Sequence, residues 1–430
     1  MKQEIDHIYE IEKYSNKSDF KLLLQKWLQQ NEIALNIIKR NIALLETNNQ
    51  SKDNISLIRD LLLSIQPETP INKLNESLNK LTLLIAKFSP PPNTEMPVKL
   101  LPIIRAIQRN TGITFTEKDM YRYSLSGINN TVWILNNGKE KIFLKIATKK
   151  NSLSLPNEYK ALEFLKTHYT IALPKIICSG TEGNGLFFIA FSFIDGSTAG
   201  DADRTGFIIR NIGQQIARLH AIIPPSFVGS FTGAHESTWY TWLSKQCSLY
   251  LDNLRRTGIL RQSIYALNSQ AISEQTIIDE VGAYLKQIRP IILHSPLSVV
   301  HNDLDFQNIM INNGQVAAII DWESALVVDP AWEFRGMDLI NNDEKTDHNK
   351  TLLMAYFDEL YKLDPKYNKN DFIKRYTALM PIKNLFFSSS FAGKNNDWAI
   401  FFLNLALEDL QRKTGEDHFF QLYNSTLELI

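Results

Sequence analysis

"VVHNDLDFQNIMINNGQVAAIIDWE", residues 299–323, decides how the rest of the chain is read. It places His301, Asp303 and, five residues on, Asn308 between apolar runs. A glycine turn then separates two β-like stretches, "NIMIN" and "QVAAIID", and the second ends in Asp321-Trp322. A His-x-Asp with an asparagine five residues after the aspartate arises by chance in many proteins, and its bland reading is a surface loop with capping aspartates. The added apolar strand ending in an acid is what makes this pattern specific. Phosphoryl transfer demands this set of groups: a carboxylate to orient the attacking hydroxyl, hard oxygen ligands for Mg2+, and a lysine on the phosphates. Asp303 answers to the first, and Asn308 with Asp321 to the second.

Working outward, the pattern divides the chain. Residues 18–88 carry helical periodicity, with Phe20, Leu23, Leu24, Trp27 and Leu28 on one stripe and Leu74, Leu78, Leu81, Ile85 and Phe88 on another. Pro67 and Pro70 interrupt it, predicting helices near 18–47, 53–66 and 71–88, an all-α N-terminal domain over 1–88. These stripes read as bundle core, with a partner-binding or dimerising hairpin as the alternative. "SPPPNTEMP", 89–97, reads as a stiff linker. A helix near 98–110 and β-like stretches at 121–125, 131–136 and 141–147 follow, the last two joined by "NNGKE", a hairpin turn. Next come a helix at 157–167 and strands near 175–179 and 186–194, then mostly helix from about 203. Five short strands with one helix, then a larger helical region, is an α+β layout with two lobes, 98–194 and 195–430.

Composition narrows the classes. The 46 basic and 46 acidic residues cancel, so nothing global points to nucleic acid or an anionic membrane. Residues 296–430 hold 12 basic and 20 acidic side chains, which suits a cationic ligand or simply solvated helix faces. Cys178 and Cys247 are too few for a disulfide framework and read as buried thiols in a reducing, cytoplasmic setting. The opening "MKQEIDHIYEIEKY" is charged and has no apolar core of signal-peptide length, and the longest apolar run, 185–194, is too short to span a bilayer, so a soluble intracellular protein is expected. Zinc spacing, a Walker loop, a nucleophile elbow and a dinucleotide fingerprint are all absent from the sequence.

"HNDLDFQNIMI" with "IIDWE" resembles the signatures of the aminoglycoside phosphotransferase and choline kinase family, whose members have a bilobal protein-kinase-like fold. The resemblance runs from about residue 100 to 340, and by helical pattern to the end; residues 1–97 lie outside it. It implies that Asp303 orients an acceptor hydroxyl and takes its proton late, while Asn308 and Asp321 hold Mg2+. ATP or GTP, bound between the lobes, is the implied phosphate donor. Lys145 in "KIFLKIA" stands where the family has its phosphate-contacting lysine, and Glu158 in "NEYKALEFL" stands where it can pair with that lysine. Alone these two would read as solvated charges; their order along the chain raises them.

"YSLSGINNTVWIL", 123–135, resembles the family's nucleotide-covering loop, with Ser126, Gly127, Asn129 and Asn130 as candidates. It holds one glycine, and a simple hairpin turn competes. "FIAFSFIDG", 188–196, resembles the hinge, where backbone groups of Ser192, Phe193 and Ile194 would bond a purine and Phe193 or Ile194 pack on its face; a plain buried strand reads the same. "IGQQIARLHAI" resembles the helix after the hinge, with Leu219 and His220 packing under the catalytic loop, and His301 reads as a scaffold residue more than a proton shuttle. Asp329 caps or braces its loop, with Pro330 opening the next helix, and Glu323 faces substrate or solvent.

Two positions depart from the family. Asn302 stands where glycine is usual, and asparagine tolerates unusual backbone angles better than most residues. Asp305 and Phe306 replace a His-Pro or similar pair, and Asp305 sets a second carboxylate near Asp303 that favours a cationic acceptor or raises one pKa. Trp239, Trp242 and Tyr250 in "TWYTWLSKQCSLY" read as core, with an aromatic acceptor wall as the alternative. The expected activity is phosphate transfer to a small-molecule hydroxyl, an aminoglycoside-type antibiotic leading and choline, another amino alcohol or a sugar next. Rivals are a nucleotide-binding scaffold that uses residues 1–97 to hold a protein partner or self-associate, and a protein-directed kinase. Against the latter, no Ala-Pro-Glu segment appears.

Overall fold

The computed structural model describes Ile11, Leu24, Leu28 and residues 58–66, 69–70, 73–74, 76–78, 80–81, 100–116, 119–123, 130–150, 152–168, 171–182, 185–200, 206–262, 272–336 and 344–413. Two compact units partition the chain: Met1–Leu155 with Lys175–Phe193, and Pro156–Pro174 with Ile194–Ile430. Of the helices expected at 18–47, 53–66 and 71–88, residues 58–64 are helical, and Leu24, Leu28, Ile58, Leu62, Leu74, Leu78 and Leu81 are buried. Ile11, Leu24, Leu28 and residues 73–74, 76–78 and 80–81 are helical as well, and the other residues of 1–99, apart from 65–66 and 69–70, fall outside the described ones.

In the first unit, α1 (Leu101–Thr111) has Pro in its first turn and closes on Gly112, whose positive φ of 70° lets its N–H reach the Gln108 carbonyl. β1 (Met120–Tyr123), β2 (Asn130–Asn136) and β3 (Lys141–Ala147) follow as an antiparallel run. The β2–β3 turn is set by asparagine chemistry: Asn136 Oδ1 accepts the Gly138 N–H, and Asn137 Oδ1 accepts those of Lys139 and Glu140. After α2 (Ser154–Leu165), β4 (Ile176–Glu182) and β5 (Leu186–Ser192) complete a sheet of order β1-β2-β3-β5-β4. One face of it buries Trp133, Leu135, Ile142, Leu144 and Ile146 against Ile103, Ile104 and Ile107 of α1. Strand alternation turns Val132, Lys145 and Ile189 to the other face.

The second unit begins with β6 (Ser197–Thr198), α3 (Gly206–His220), β7 (Gly229–Ser230), α4 (Trp239–Arg256), α5 (Ile259–Gln262) and α6 (Glu274–Ile292). Then come β8 (Ser298–Val300), β9 (Ile309–Asn312), β10 (Gln315–Ile319), β11 (Leu326–Val328), a 3-10 segment over Pro330–Gly336, α7 (Glu344–Leu363), α8 (Lys369–Phe391) and α9 (Asn396–Lys413). The four strands of two or three residues, β6, β7, β8 and β11, were not anticipated, because such short pieces carry no periodicity of their own. They matter here: β6 pairs with β9, and β11 pairs with both β7 and β8. Two small three-stranded sheets, β10-β9-β6 and β7-β11-β8, therefore frame the 301–308 loop between β8 and β9 and the 320–325 turn between β10 and β11.

The expected helix at 157–167 starts earlier, at Ser154, and from Pro156 it groups with the second unit instead of the first. Asn157 and Glu158 of its first turn bond to residues of that second unit. Trp239 and Trp242 stack within the helical core with ring centroids 5.2 Å apart, and Trp239 also meets Trp332 edge-on. Both are buried, so neither forms an acceptor wall; Tyr250 packs edge-on against Phe386. Both cysteines are free and buried, and burial pushes the Cys178 thiol up to about 11 and Cys247 higher still, which leaves them unreactive. Among the described residues, no helix is long and apolar enough to cross a membrane.

Candidate active site

His301 follows β8 directly, and its ring is held at both nitrogens. Nε2 lies 2.8 Å from the Ile320 carbonyl oxygen and so must donate, while Nδ1 lies 3.3 Å from the Asp303 N–H and so must accept. That pairing fixes the neutral Nε2–H tautomer and ties the 301–308 loop to the 320–325 turn. His301 is fully buried and stacks edge-on against Trp322. Both ring nitrogens are thus taken up in holding the two loops together.

The next residue, Asn302, has φ of 67°, a left-handed conformation that most side chains reach only at about 1–2 kcal/mol. Its own side chain offsets this. Nδ2 donates to the Ser324 carbonyl at 3.0 Å, and Oδ1 accepts the Trp332 indole N–H at 3.0 Å. Asparagine in the place of glycine thus keeps the backbone angle and adds two bonds.

Asp303 is exposed, and its carbonyl accepts the Asn308 side-chain amide at 2.8 Å. Only Nδ2 can donate to a carbonyl, so Asn308 Oδ1 is left as the acceptor end of the amide. Asp305 is structural as well, since its Oδ1 accepts the Gln307 N–H and caps the 3-10 turn over Phe306–Asn308. The Asn308 carbonyl in turn accepts the Ile320 N–H at 2.8 Å, which brings β10's end beside Asn308. Asp321 follows, half-buried, at φ 68° and ψ 56°. Asp303, Asn308 and Asp321 are thereby gathered by bonds running through His301 and Ile320.

Several groups hold the turn that Asp321 opens. Glu158, buried in the first turn of α2, accepts the Trp322 N–H at 3.3 Å, and the Trp322 indole donates to the Ile319 carbonyl. Neighbouring Asn157 donates to the Glu323 and Ala325 carbonyls. A further carboxylate, Glu333, accepts the backbone N–H groups of both His301 and Asn302, at 2.5 and 2.9 Å. Burial works to raise the Glu333 pKa, but the His220 ring beside it and the backbone N–H of His301 outweigh it and hold the carboxyl below its usual range. His220 Nε2 stands 3.7 Å from Glu333, its Nδ1 meets the Tyr356 hydroxyl at 2.9 Å, and its carbonyl accepts the Ser298 hydroxyl. His220 and Leu219 are buried, as packing beneath the loop requires.

Asp329 bonds the Ala331 N–H with one oxygen, at 2.8 Å, and Arg375 of α8 with the other, at 2.9 Å, so it both caps and braces, with Pro330 opening the 3-10 segment. Glu333, Asn157 and Arg375 escaped the sequence reading. For Glu333 a signal existed, since an acid flanked by Trp332 and Phe334 in "DPAWEF" implies a buried carboxylate. Nothing local distinguishes Asn157 or Arg375.

In the first unit, Lys145 sits opposite Val132 and Ile189, on the sheet face away from α1. Asn130 pairs with Ala147, two positions further along β3, so it shares that face; both polar side chains are buried. Ser126, Gly127 and Asn129 lie outside the described residues. At the expected hinge, the Ser192 N–H donates to the Lys175 carbonyl and the Phe193 N–H to that of Lys141. Those two groups are engaged within the sheet, and the Phe193 ring lies under the Lys141 ammonium at 3.5 Å.

The second unit thus holds an exposed carboxylate, an amide oxygen and a second carboxylate on two braced loops, and the first unit holds a buried lysine on its five-stranded antiparallel sheet. A model of the phosphotransferase enzyme family matches residues 123–359, more than half of the chain, and the chain belongs to that family, whose members phosphorylate hydroxyl groups. Among curated proteins, no sequence matches. Among solved structures, a fructosamine-3-kinase from Haemophilus somnus 129PT is similar at TM-score 0.53 and 15% identity, over 72% of this chain and 97% of that one, and shares its fold. An apo thermostable mutant of aminoglycoside phosphotransferase APH(4)-Ia aligns at 0.48 and 15%, over 73% and 99%. A macrolide 2'-phosphotransferase from Brachybacterium faecium aligns at 0.46 and 15%, over 70% and 97%.

Proposed function

We propose that this phosphotransferase moves the γ-phosphate of ATP or GTP to a hydroxyl of a small molecule, with an aminoglycoside-type acceptor leading. The observation that carries the reading is the Asn308 amide, pinned by its bond to the Asp303 carbonyl so that an oxygen, and not an N–H, is the end left to bind a cation. Among the described residues no three His, Cys, Asp or Glu side chains converge as a metal cage. Mg2+ seldom needs one, since it is commonly held by one or two protein oxygens with waters and substrate phosphates. The donor set of Asn308 and Asp321 fits it. Bound there, Mg2+ would neutralise charge on the transferring phosphate.

The chain's own residues supply the rest. Asp303, exposed at the tip of a braced loop, orients the acceptor hydroxyl and accepts its proton as the oxygen–phosphorus bond forms. Lys145, with Glu158, steadies the phosphates of the donor, and Asn130 lends its amide on the lysine's sheet face. Ser126 and Gly127 would cover the phosphates, and Ile194 would meet the purine. Residues 1–97, outside the family match at 123–359, would serve a protein partner or a second copy.

The test is nucleoside-diphosphate release by the full chain with Mg2+ and ATP or GTP, against aminoglycosides, macrolides, choline, ethanolamine and sugars, with Asp303→Asn in parallel. Stimulation by an aminoglycoside, lost in the variant, is expected. Stimulation by choline or a sugar moves the acceptor assignment, and nucleotide binding without any turnover overturns the reading in favour of a scaffold.

A further inference from the structure

Asn157 is not a residue the reaction calls for, yet it is 3% exposed and uses the whole hydrogen-bonding capacity of its amide. Nδ2 donates to the carbonyls of Glu323, at 3.1 Å, and Ala325, at 2.9 Å. Oδ1 accepts the Thr232 N–H at 3.1 Å and its hydroxyl at 3.3 Å. The two carbonyls belong to the exit of the 3-10 turn that starts at Asp321, while the adjacent Glu158 carboxylate holds the entrance through the Trp322 N–H. Consecutive residues of α2 therefore grip both ends of one short turn. That turn contains a non-glycine residue in the left-handed region, a conformation that persists only where its surroundings impose it. The third arm, Thr232, lies just past β7, and β7 pairs with β11, the strand that the turn leads into.

We propose that Asn157 is a positioning residue for the cation-binding carboxylate: it holds the turn so that Asp321 stays in its left-handed, ligating conformation. This rests on the reading that Asp321 binds the metal. The chemistry explains why asparagine serves. Aspartate offers no donor and would turn a charge toward two carbonyl oxygens; glutamine has the right ends but one methylene too many for a site closed on three sides. With the grip lost, the ligating conformation becomes a minor one, and apparent cation affinity falls by that fraction while acceptor binding does not.

The experiment measures equilibrium Mn2+ binding in the presence of ADP by electron paramagnetic resonance for the full chain, Asn157→Asp, Asn157→Ser and Asp321→Asn, with backbone hydrogen exchange over 320–326. Turnover is then followed against Mg2+ concentration. Both Asn157 variants should bind Mn2+ about 10-fold more weakly and exchange faster over the turn, with turnover that returns to within about 2-fold of the parent at saturating Mg2+. Asn157→Ser leaves a small polar group and keeps the proposal falsifiable should the aspartate variant fail to fold. A lowered melting temperature with unchanged Mn2+ binding makes Asn157 a purely structural bond and overturns the inference alone. Undiminished Mn2+ binding in Asp321→Asn overturns the metal reading itself, and the inference with it.

Discussion

The Asn308 side-chain nitrogen lies 2.8 Å from the Asp303 carbonyl oxygen, so the residue proposed to bind the cation also latches the loop that carries the proposed base. These two roles need different ends of one amide, and this separates the available substitutions. Asn308→Ala removes both. Asn308→Asp keeps an oxygen for the cation, and adds charge to it, but cannot donate to the carbonyl. Turnover at fixed Mg2+ should fall about 10–100-fold or more in both variants, without recovery in the aspartate variant at high Mg2+. Full recovery by Asn308→Asp would show that the latch is dispensable.

Asp303 is exposed and joins the bracing network through its backbone N–H and carbonyl, which an amide side chain leaves in place, so replacing its carboxylate should separate chemistry from folding. Asp303→Asn is expected to lower kcat by about 10²–10⁴-fold. Its stability should stay within about 0.5 kcal/mol of the parent, as for most surface changes. Single-turnover phosphate transfer and urea unfolding on the same preparation check both halves. An unchanged rate would sink the assignment of Asp303.

At Asn302 the backbone angle and the side-chain bonds can be varied independently. Asn302→Gly keeps the φ of 67° without strain but loses the bonds to Ser324 and Trp332. Asn302→Ala loses the same bonds and adds about 1–2 kcal/mol of left-handed strain. Urea unfolding should therefore order the stabilities as parent, then glycine, then alanine, with the last gap near that strain. Equal losses for the two variants would mean that the loop relaxes out of the left-handed region.

The part of the site that could be read from sequence was the part with chemical identity. Asp303, Asn308 and Asp321 stand in a pattern whose spacing is set by one loop and one hairpin, and the glycine-like geometry at Asn302 followed from what asparagine tolerates. What the sequence concealed is the bracing, because its partners lie far apart along the chain: Asn157 with Ala325, Asp329 with Arg375, Asn302 with Trp332. Such pairs have no shared period or local motif, and only the folded backbone brings them together. The same holds for the strands at Ser298–Val300 and Leu326–Val328, which are too short to show alternation and exist because they pair with each other. At the expected hinge, too, only the folded sheet shows that the N–H groups of Ser192 and Phe193 bond the carbonyls of Lys175 and Lys141.

Glu333 is buried beneath the loop with its pKa held below the ordinary value of 4.5. A depressed folded-state pKa contributes stability that is present above the unfolded value and is lost as pH falls through the folded one. Glu333→Gln can accept at one atom only, so one of the His301 and Asn302 N–H groups loses its partner. It should destabilise by about 2–4 kcal/mol at pH 7. The gap between parent and variant should then narrow below pH 4.5 as the parent's carboxylate takes up a proton. Urea midpoints for both proteins at pH 7 and at pH 4 or below provide the check, and a gap that widens on acidification contradicts the sign.

Asp329 and Arg375 form the deepest ion pair among the described residues apart from the His220–Glu333 contact, with Asp329 fully buried, the guanidinium 2.9 Å away, and the second carboxylate oxygen on the Ala331 N–H. Removing one partner strands a charge in a place that water cannot reach. Arg375→Met should therefore lose about 3–5 kcal/mol, far more than the net contribution of the pair, because desolvation of the orphaned carboxylate dominates. Asp329→Asn keeps an acceptor for Ala331 but leaves the guanidinium without its charge partner, and should lose a comparable amount. Combining the two removes both charges and leaves a neutral amide that still caps the 3-10 segment. The double variant is thus expected to be more stable than either single one predicts by addition, with a coupling of about 1–3 kcal/mol from a double-mutant cycle in urea. Neither partner touches the reacting groups, so phosphate transfer per folded molecule should stay near the parent's in all three. Strict additivity would mean that water reaches the pair, and a large loss of transfer in a well-folded double variant would assign the pair a direct part in setting the loop above it.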